Sequence, residues 1–206
     1  MATLAKTQRI LRDDYLNVKW PHRDRTLDGW IGDSAHEASG APEQGGSDHN
    51  PNKRGIVDAI DVDRDGIHVP TVIASMMVHP STNYIIFNRR IFSRRDNFRP
   101  RAYTGSNGHA GHIHRSILQS ATAENRVTKY KFILEPMQWP VLRPDVAAVA
   151  NWELQAYLNG WGYTLSVDGV FGGMTEKAVR AFQGSQRITV DGVVGPQTRA
   201  KLRPFA

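Results

Sequence analysis

“HIHRSI”, His112–Ile117, reads as a β-strand, in which side chains alternate between two faces with a two-residue period. Read that way, it sends His112 and His114 to the same face. His109 stands just upstream, so three of the chain's eight histidines fall within six residues. Imidazole titrates near neutral pH and is the commonest metal ligand. Upstream, “GIVDAIDV”, Gly55–Val62, is a second strand candidate. Its alternation puts Val57, Ala59 and Asp61 on one face and Asp58 and Ile60 on the other. A carboxylate sharing a face with valine and alanine is expensive to bury unless it is paired or bound to a metal. His49 precedes this strand after a turn built from Asn50-Pro51-Asn52.

One imidazole from the first segment, one carboxylate from its strand and one imidazole from the second strand make a His-Asp-His set. Zinc hydrolases commonly use three such ligands and leave a fourth position for water. That water, acidified to a pKa of roughly 7, becomes a hydroxide nucleophile at neutral pH. “DVDRDG” at Asp61–Gly66 opens like a calcium loop, but its twelfth position is Val72 rather than Glu. “HEASG” at His36 lacks the second histidine of a zinc helix motif. His36 is a candidate to support a ligand from behind, and His22, His68 and His79 read as structural.

These residues resemble the zinc peptidoglycan peptidases grouped with D-Ala-D-Ala carboxypeptidases and L-alanyl-D-glutamate endopeptidases, whose site plan lysostaphin-type enzymes share. Ser47-Asp48-His49, Ala59-Ile60-Asp61 and His112-Ile113-His114 match the motifs S-x-H, A-x-D and H-x-H. “DGWIGD” and “YIIFNRRI” resemble phage lysins of this group. The resemblance covers about residues 10–120 and implies an α+β fold with a small antiparallel sheet. It also implies zinc held by His49, Asp61 and His114. Three features depart from the family. His49 and Asp61 are twelve residues apart instead of seven, with an insertion around “NKRG”. Gly111 stands where many members place a catalytic Glu, which makes His112 the candidate base and His109 the second. “EQGG” stands where an Arg is common, so Arg89 or Arg54 would bind a substrate carboxylate or the oxyanion.

“EPMQWPVLRPDV”, Glu135–Val146, carries prolines at 136, 140 and 144 and reads as an ordered, semi-extended linker. The expected division is residues 1–135 as a zinc peptidase domain, 136–146 as linker and 147–206 as a small all-α module of three helices. “VDGVFGGMT” at Val167–Thr175 recurs as “VDGVVGPQT” at Val190–Thr198, a period of 23. Each copy gives an Asp-Gly turn, an apolar pair, another glycine and a Thr where a helix could begin. Val149, Trp152, Leu154, Tyr157 and Leu158 form a helical stripe before the first copy, and Ala178, Val179 and Phe182 form one after it. This doubled pattern resembles the peptidoglycan-binding domain of wall hydrolases. Trp161 and Tyr163 are its candidate substrate-binding residues.

The absence of cysteine excludes a disulfide scaffold, a thiolate zinc site and a cysteine nucleophile. The first residues show no signal peptide, and no run is long and apolar enough for a membrane span. The net charge of +6 attracts polyanions. Seven arginines lie between Arg89 and Arg115 against one acid, Asp96, and their adjacency to the histidines suggests a basic rim. Without stacking aromatics or a motif, this charge does not argue for nucleic acid. The two modules together resemble a bacteriophage endolysin, a zinc metallopeptidase of cell-wall peptidoglycan. The expected protein is a monomer made in the host cytoplasm and released through a holin-type lesion, with peptidoglycan and anionic wall polymers as partners and no stable membrane association. The rival class is a non-catalytic wall-binding or virion structural protein with a degenerate metal site.

Overall fold

The computed structural model describes residues 2–32, 38–134, 139–144 and 150–202. His36, Val149 and much of the proline-rich segment lie outside them. Alternating apolar side chains build a five-stranded antiparallel sheet from β3 (Ala59–Asp63), β4 (Thr82–Phe87), β5 (Arg90–Ser93), β6 (Arg101–Ala102) and β7 (His112–Ile117). The strand order is β3-β7-β4-β5-β6. A separate parallel pair joins β1 (Thr3–Leu4) to β2 (Ile56–Val57). On the large sheet Ile60, Val62, Ile85 and Ile113 point inward and are buried. Helix α3 (Val69–Val78) packs on β4 and adds Val72, Ile73, Met76 and Met77 to the core. The first helical stretch adds Leu11 and Leu16. It runs as α1 (Lys6–Arg9), a π-helical segment (Ile10–Leu16) and α2 (Asn17–Lys19). The opposite face of the sheet carries Asp61, His112 and His114.

After the short α4 (Ala121–Glu124), the small module folds as α5 (Ala150–Gly160), α6 (Gly173–Ser185) and α7 (Pro196–Leu202). One buried glutamine organises each Asp-Gly turn. Gln155 donates to Asp168 Oδ1, Val170 O and Thr175 Oγ1, and accepts from the Asp168 and Gly169 amides. Gln183 repeats this with Asp191, Val193, Thr198 and Gly192. The two threonines do not begin the helices, as the sequence suggested. α6 starts two residues before Thr175, and each hydroxyl instead donates back to a loop carbonyl, of Val170 and of Val193. Trp152 also departs from its expected stripe. It is exposed and lies over Gly169, whose φ of +80° and lack of Cβ permit that approach. We expect Gln183→Ala to destabilise the chain by about 2–3 kcal/mol, because it strands buried loop groups. Urea denaturation monitored by tryptophan fluorescence checks this, and an unchanged midpoint would remove the glutamine from that role.

The small module packs on the larger part of the chain. Helix α5 lies on α3, and Gly160 sits so close to Pro70 that a Cβ would fall 2.8 Å from its carbonyl oxygen. The Val167 amide donates to Asn97 O at 2.8 Å, and Arg90 donates to Tyr163 O at 2.7 Å. Within the proline-rich segment Trp139 and Leu142 are buried, and Leu142 bridges to Val194. Among the described residues no helix is long and apolar enough to cross a membrane.

Candidate metal centre

Register brings the chemistry together. Asp61 on β3 lies opposite His114 on β7, and Asp63 lies opposite His112. His49 arrives from the preceding turn. The twelve-residue gap to Asp61 is taken up by a loop that closes on Asn52. The Asn52 side chain accepts from the Arg54 and Ile56 amides and donates to Asp58 and Glu124. Gly55, at a φ of +73°, completes the turn. The inserted residues thus fold back on themselves and return the chain to β3 with His49 beside it.

His49 Nε2 stands 3.1 Å from His114 Nδ1 and 3.3 Å from Asp61 Oδ2, while His114 Nδ1 is 3.1 Å from Asp61 Oδ1. Bonds of 2.0–2.1 Å to a tetrahedral zinc imply ligand separations of about 3.3 Å. Asp61 meets the two imidazoles through different oxygens, and one ligand atom from each residue lies within 4.8 Å of the others, close enough to share one metal ion. His114 Nε2 and His112 Nε2 are buried without a hydrogen-bond partner among the described residues. The donor set of two imidazoles and one carboxylate suits zinc.

Electrostatics agrees with that set. Burial opposes ionisation of Asp61, but hydrogen bonds from His114 and His49 outweigh it and hold the carboxyl well below its usual range. Burial likewise lowers the basicity of His49. Its hydrogen bond and attraction to Asp61, helped by the Trp30 carbonyl, more than restore it and leave the pKa raised.

Two further histidines approach the trio. His112 Nε2 is 3.7 Å from Asp61 Oδ1, and burial lowers its pKa despite that carboxylate. The His109 ring lies 4.9 Å from that of His112 and 5.3 Å from that of His114. Its Nδ1 is 2.8 Å from Asn107 O, which requires the proton on Nδ1 and leaves Nε2 as an acceptor. Burial, with repulsion from His114 and His112, pushes its pKa down to about 4. The turn residues Asn88 and Arg89 hold the His109 loop by donating their amides to His109 O and Gly108 O. A cleft of about 550 Å³ opens over the site, lined by His49, His109 and His114 together with Asp48, Tyr84 and Tyr103.

Asp48 and Tyr84 were not among the expected site residues. Tyr84 stacks on His114 at 5.6 Å between centroids and donates its hydroxyl to Asp48 Oδ2 at 2.8 Å. Ser116 and Gln119 also donate to Asp48. This support fixes one face of the His114 ring. Its signal was the Asp inside Ser47-Asp48-His49.

The arginines do not form one basic rim. Arg115 is fully buried beneath the sheet, where it donates to Gln8, Tyr130, Thr82 and His79. Arg94 donates to the carbonyls of Thr82, His79 and Pro80, and Arg101 pairs with Asp96. Arg54 is paired with the buried Glu124. Arg89 is exposed beside Gly108, next to the cleft residues Asn107 and His109. Trp161 lies in the seam between α5 and the rest of the chain. Its indole donates to Leu202 O, and its ring meets His68 and Phe182 edge-on. Tyr163 is half-buried beside it. His68 contacts Thr71, His79 is buried against Arg115, and His22 is exposed.

Comparison with known proteins identifies part of the chain. Residues 152–202 match the family model described as “Putative peptidoglycan binding domain”. The chain is also similar to a spore cortex-lytic enzyme of Halalkalibacterium halodurans, 51% identical over 51 residues, which is 24% of this chain and 16% of that protein. The chain thus spans about a sixth of that relative's length. Residues 152–202 are thus similar to a peptidoglycan-binding domain.

Proposed function

We propose that the protein is a zinc-dependent peptidoglycan hydrolase that cuts peptide bonds of the bacterial wall. The observation that carries this reading is the His49–Asp61–His114 set, close enough to share a metal ion and opening on a cleft, in a chain whose residues 152–202 match a peptidoglycan-binding domain. Zinc there would supply an acidified water and polarise the scissile carbonyl. His109, with Nδ1–H committed to Asn107 O, offers Nε2 on the cleft wall to accept the proton of the attacking water and return it to the leaving amine. His112 stands beside Asp61 on the same face of the sheet and positions it. Tyr84 and Asp48 keep the His114 ring in place. The peptidoglycan-binding domain raises the local concentration of the catalytic part on the wall. The division into catalytic residues 1–135, linker 136–146 and binding residues 147–206 belongs to this proposal. So does the role of a phage endolysin, acting as a monomer after release from the host cytoplasm and lysing the cell.

Mass spectrometry of fragments released from purified peptidoglycan tests the reaction class. New amino and carboxyl termini on stem or crosslink peptides are the expected products. Release of reducing sugars alone would replace the peptidase with a glycan hydrolase, and no release at all with added zinc would favour a non-catalytic wall binder.

A further inference from the structure

The members of the His49–Asp61–His114 trio line two different pockets. His49 and His114 line the larger cleft, which has no lysine or arginine among its described lining residues. Asp61 lines a second pocket of about 270 Å³, together with Gly29, Trp30, Asp28 and two arginines, Arg12 and Arg25. The segment carrying Gly29 pairs with the free edge of β3 through Gly29 and Asp61, so this pocket is tied directly to the metal-binding carboxylate. Arg12 comes from the π-helical segment, and such segments recur at functional sites.

The lining of the second pocket carries two arginines and two aspartates, and both aspartates are already engaged, Asp61 by His49 and His114. Asp28 is held by both terminal nitrogens of Arg23. Arg12 grips Asp13 through Nε and Nη2, and Arg25 donates from the same two atoms to the neutral acceptors Asn17 Oδ1 and Pro21 O. In neither arginine does Nη1 bond to another described residue. Each guanidinium thus keeps one nitrogen without a partner among the described residues, in a pocket that Asp61 also lines. Guanidinium groups present fixed donors that match a carboxylate.

We propose that Arg12 and Arg25 form a carboxylate-binding subsite that sets the direction of the peptide chain across the metal. A carboxyl-bearing residue of the substrate occupies the arginine pocket, and the uncharged side of the scissile bond occupies the larger cleft. This deepens the peptidase reading and rests on it. The subsite takes the place of the arginine missing before Ser47-Asp48-His49. It uses neither Arg89 nor Arg54.

The test separates binding from cleavage. Stem peptides from purified walls are prepared with their carboxylates free and after chemical amidation. Calorimetry measures their affinity for the full chain in the presence of a chelator, and cleavage is measured with zinc. The free-carboxylate peptide should bind about 10- to 100-fold more tightly than the amide, the scale of a charge-assisted hydrogen bond. Arg12→Ala and Arg25→Ala should each weaken that preference, with little effect on the amidated peptide. Arg25 is exposed, so its variant tests the subsite without disturbing the core. Equal affinity of the wild-type chain for both peptides would overturn the subsite, as would full discrimination in both variants. Absence of cleavage of either peptide, with discrimination in binding intact, would instead overturn the peptidase reading.

Discussion

His114→Ala should lose zinc and wall cleavage together, and chelation of the wild-type chain should silence it until zinc is restored. His114 is the centre of the trio. Its Nδ1 lies 3.1 Å from both His49 Nε2 and Asp61 Oδ1. Loss of groups that merely support a ligand costs about 10–100-fold in metal affinity, so loss of a ligand itself should exceed about 100-fold. Elemental analysis of dialysed protein gives the metal content, and dye release from labelled walls gives activity. Near-stoichiometric zinc in both His49→Ala and His114→Ala would sink the assignment. The pH dependence has a defined sign. His49 has a raised pKa in the metal-free fold and must shed its proton to coordinate. Zinc affinity should therefore fall as pH drops through that raised pKa.

Much of this site is legible in the sequence because strand parity is a rigid rule. Asp61 and His114 each occupy the site face, and antiparallel register sets them opposite one another. The same rule applied to Arg115 shows why a count of arginines misleads. One residue beyond His114, it must face the core, and it does. Charge alone gives no direction; parity does. Three features lay beyond such patterns. The loop after His49 closes through the hydrogen bonds of one Asn52 side chain, which no periodicity encodes. Gln155 and Gln183 stand 28 residues apart while their turns repeat at 23, so the repeat hides its organiser. The second pocket joins residues from the first helical stretch to β3 and depends wholly on tertiary packing. The helical stripes show which faces are apolar, but not that α5 would find its partner in α3 of the larger module.

The two histidines beside the trio should separate by what their loss damages. His109→Ala is expected to keep zinc and fold while cleavage falls by about 10²–10⁴-fold, the range of a general acid–base group. The reason is geometric. Its Nδ1–H is fixed on Asn107 O, its ring lines the cleft, and its low pKa keeps Nε2 unprotonated at neutral pH. His112 stands instead against Asp61, with Nε2 3.7 Å from Oδ1. His112→Ala should therefore show its defect mainly as a loss of about 10–100-fold in zinc affinity, as expected of a group that orients a ligand. At saturating zinc its cleavage should return close to the wild-type rate. Metal titration and single-turnover cleavage on both variants decide the matter. If His112→Ala binds zinc normally and cleaves poorly at saturation, while His109→Ala cleaves well, the proton is handled on β7, by the imidazole two residues before the ligand. The Asn107–His109 contact would then serve only to shape the cleft wall.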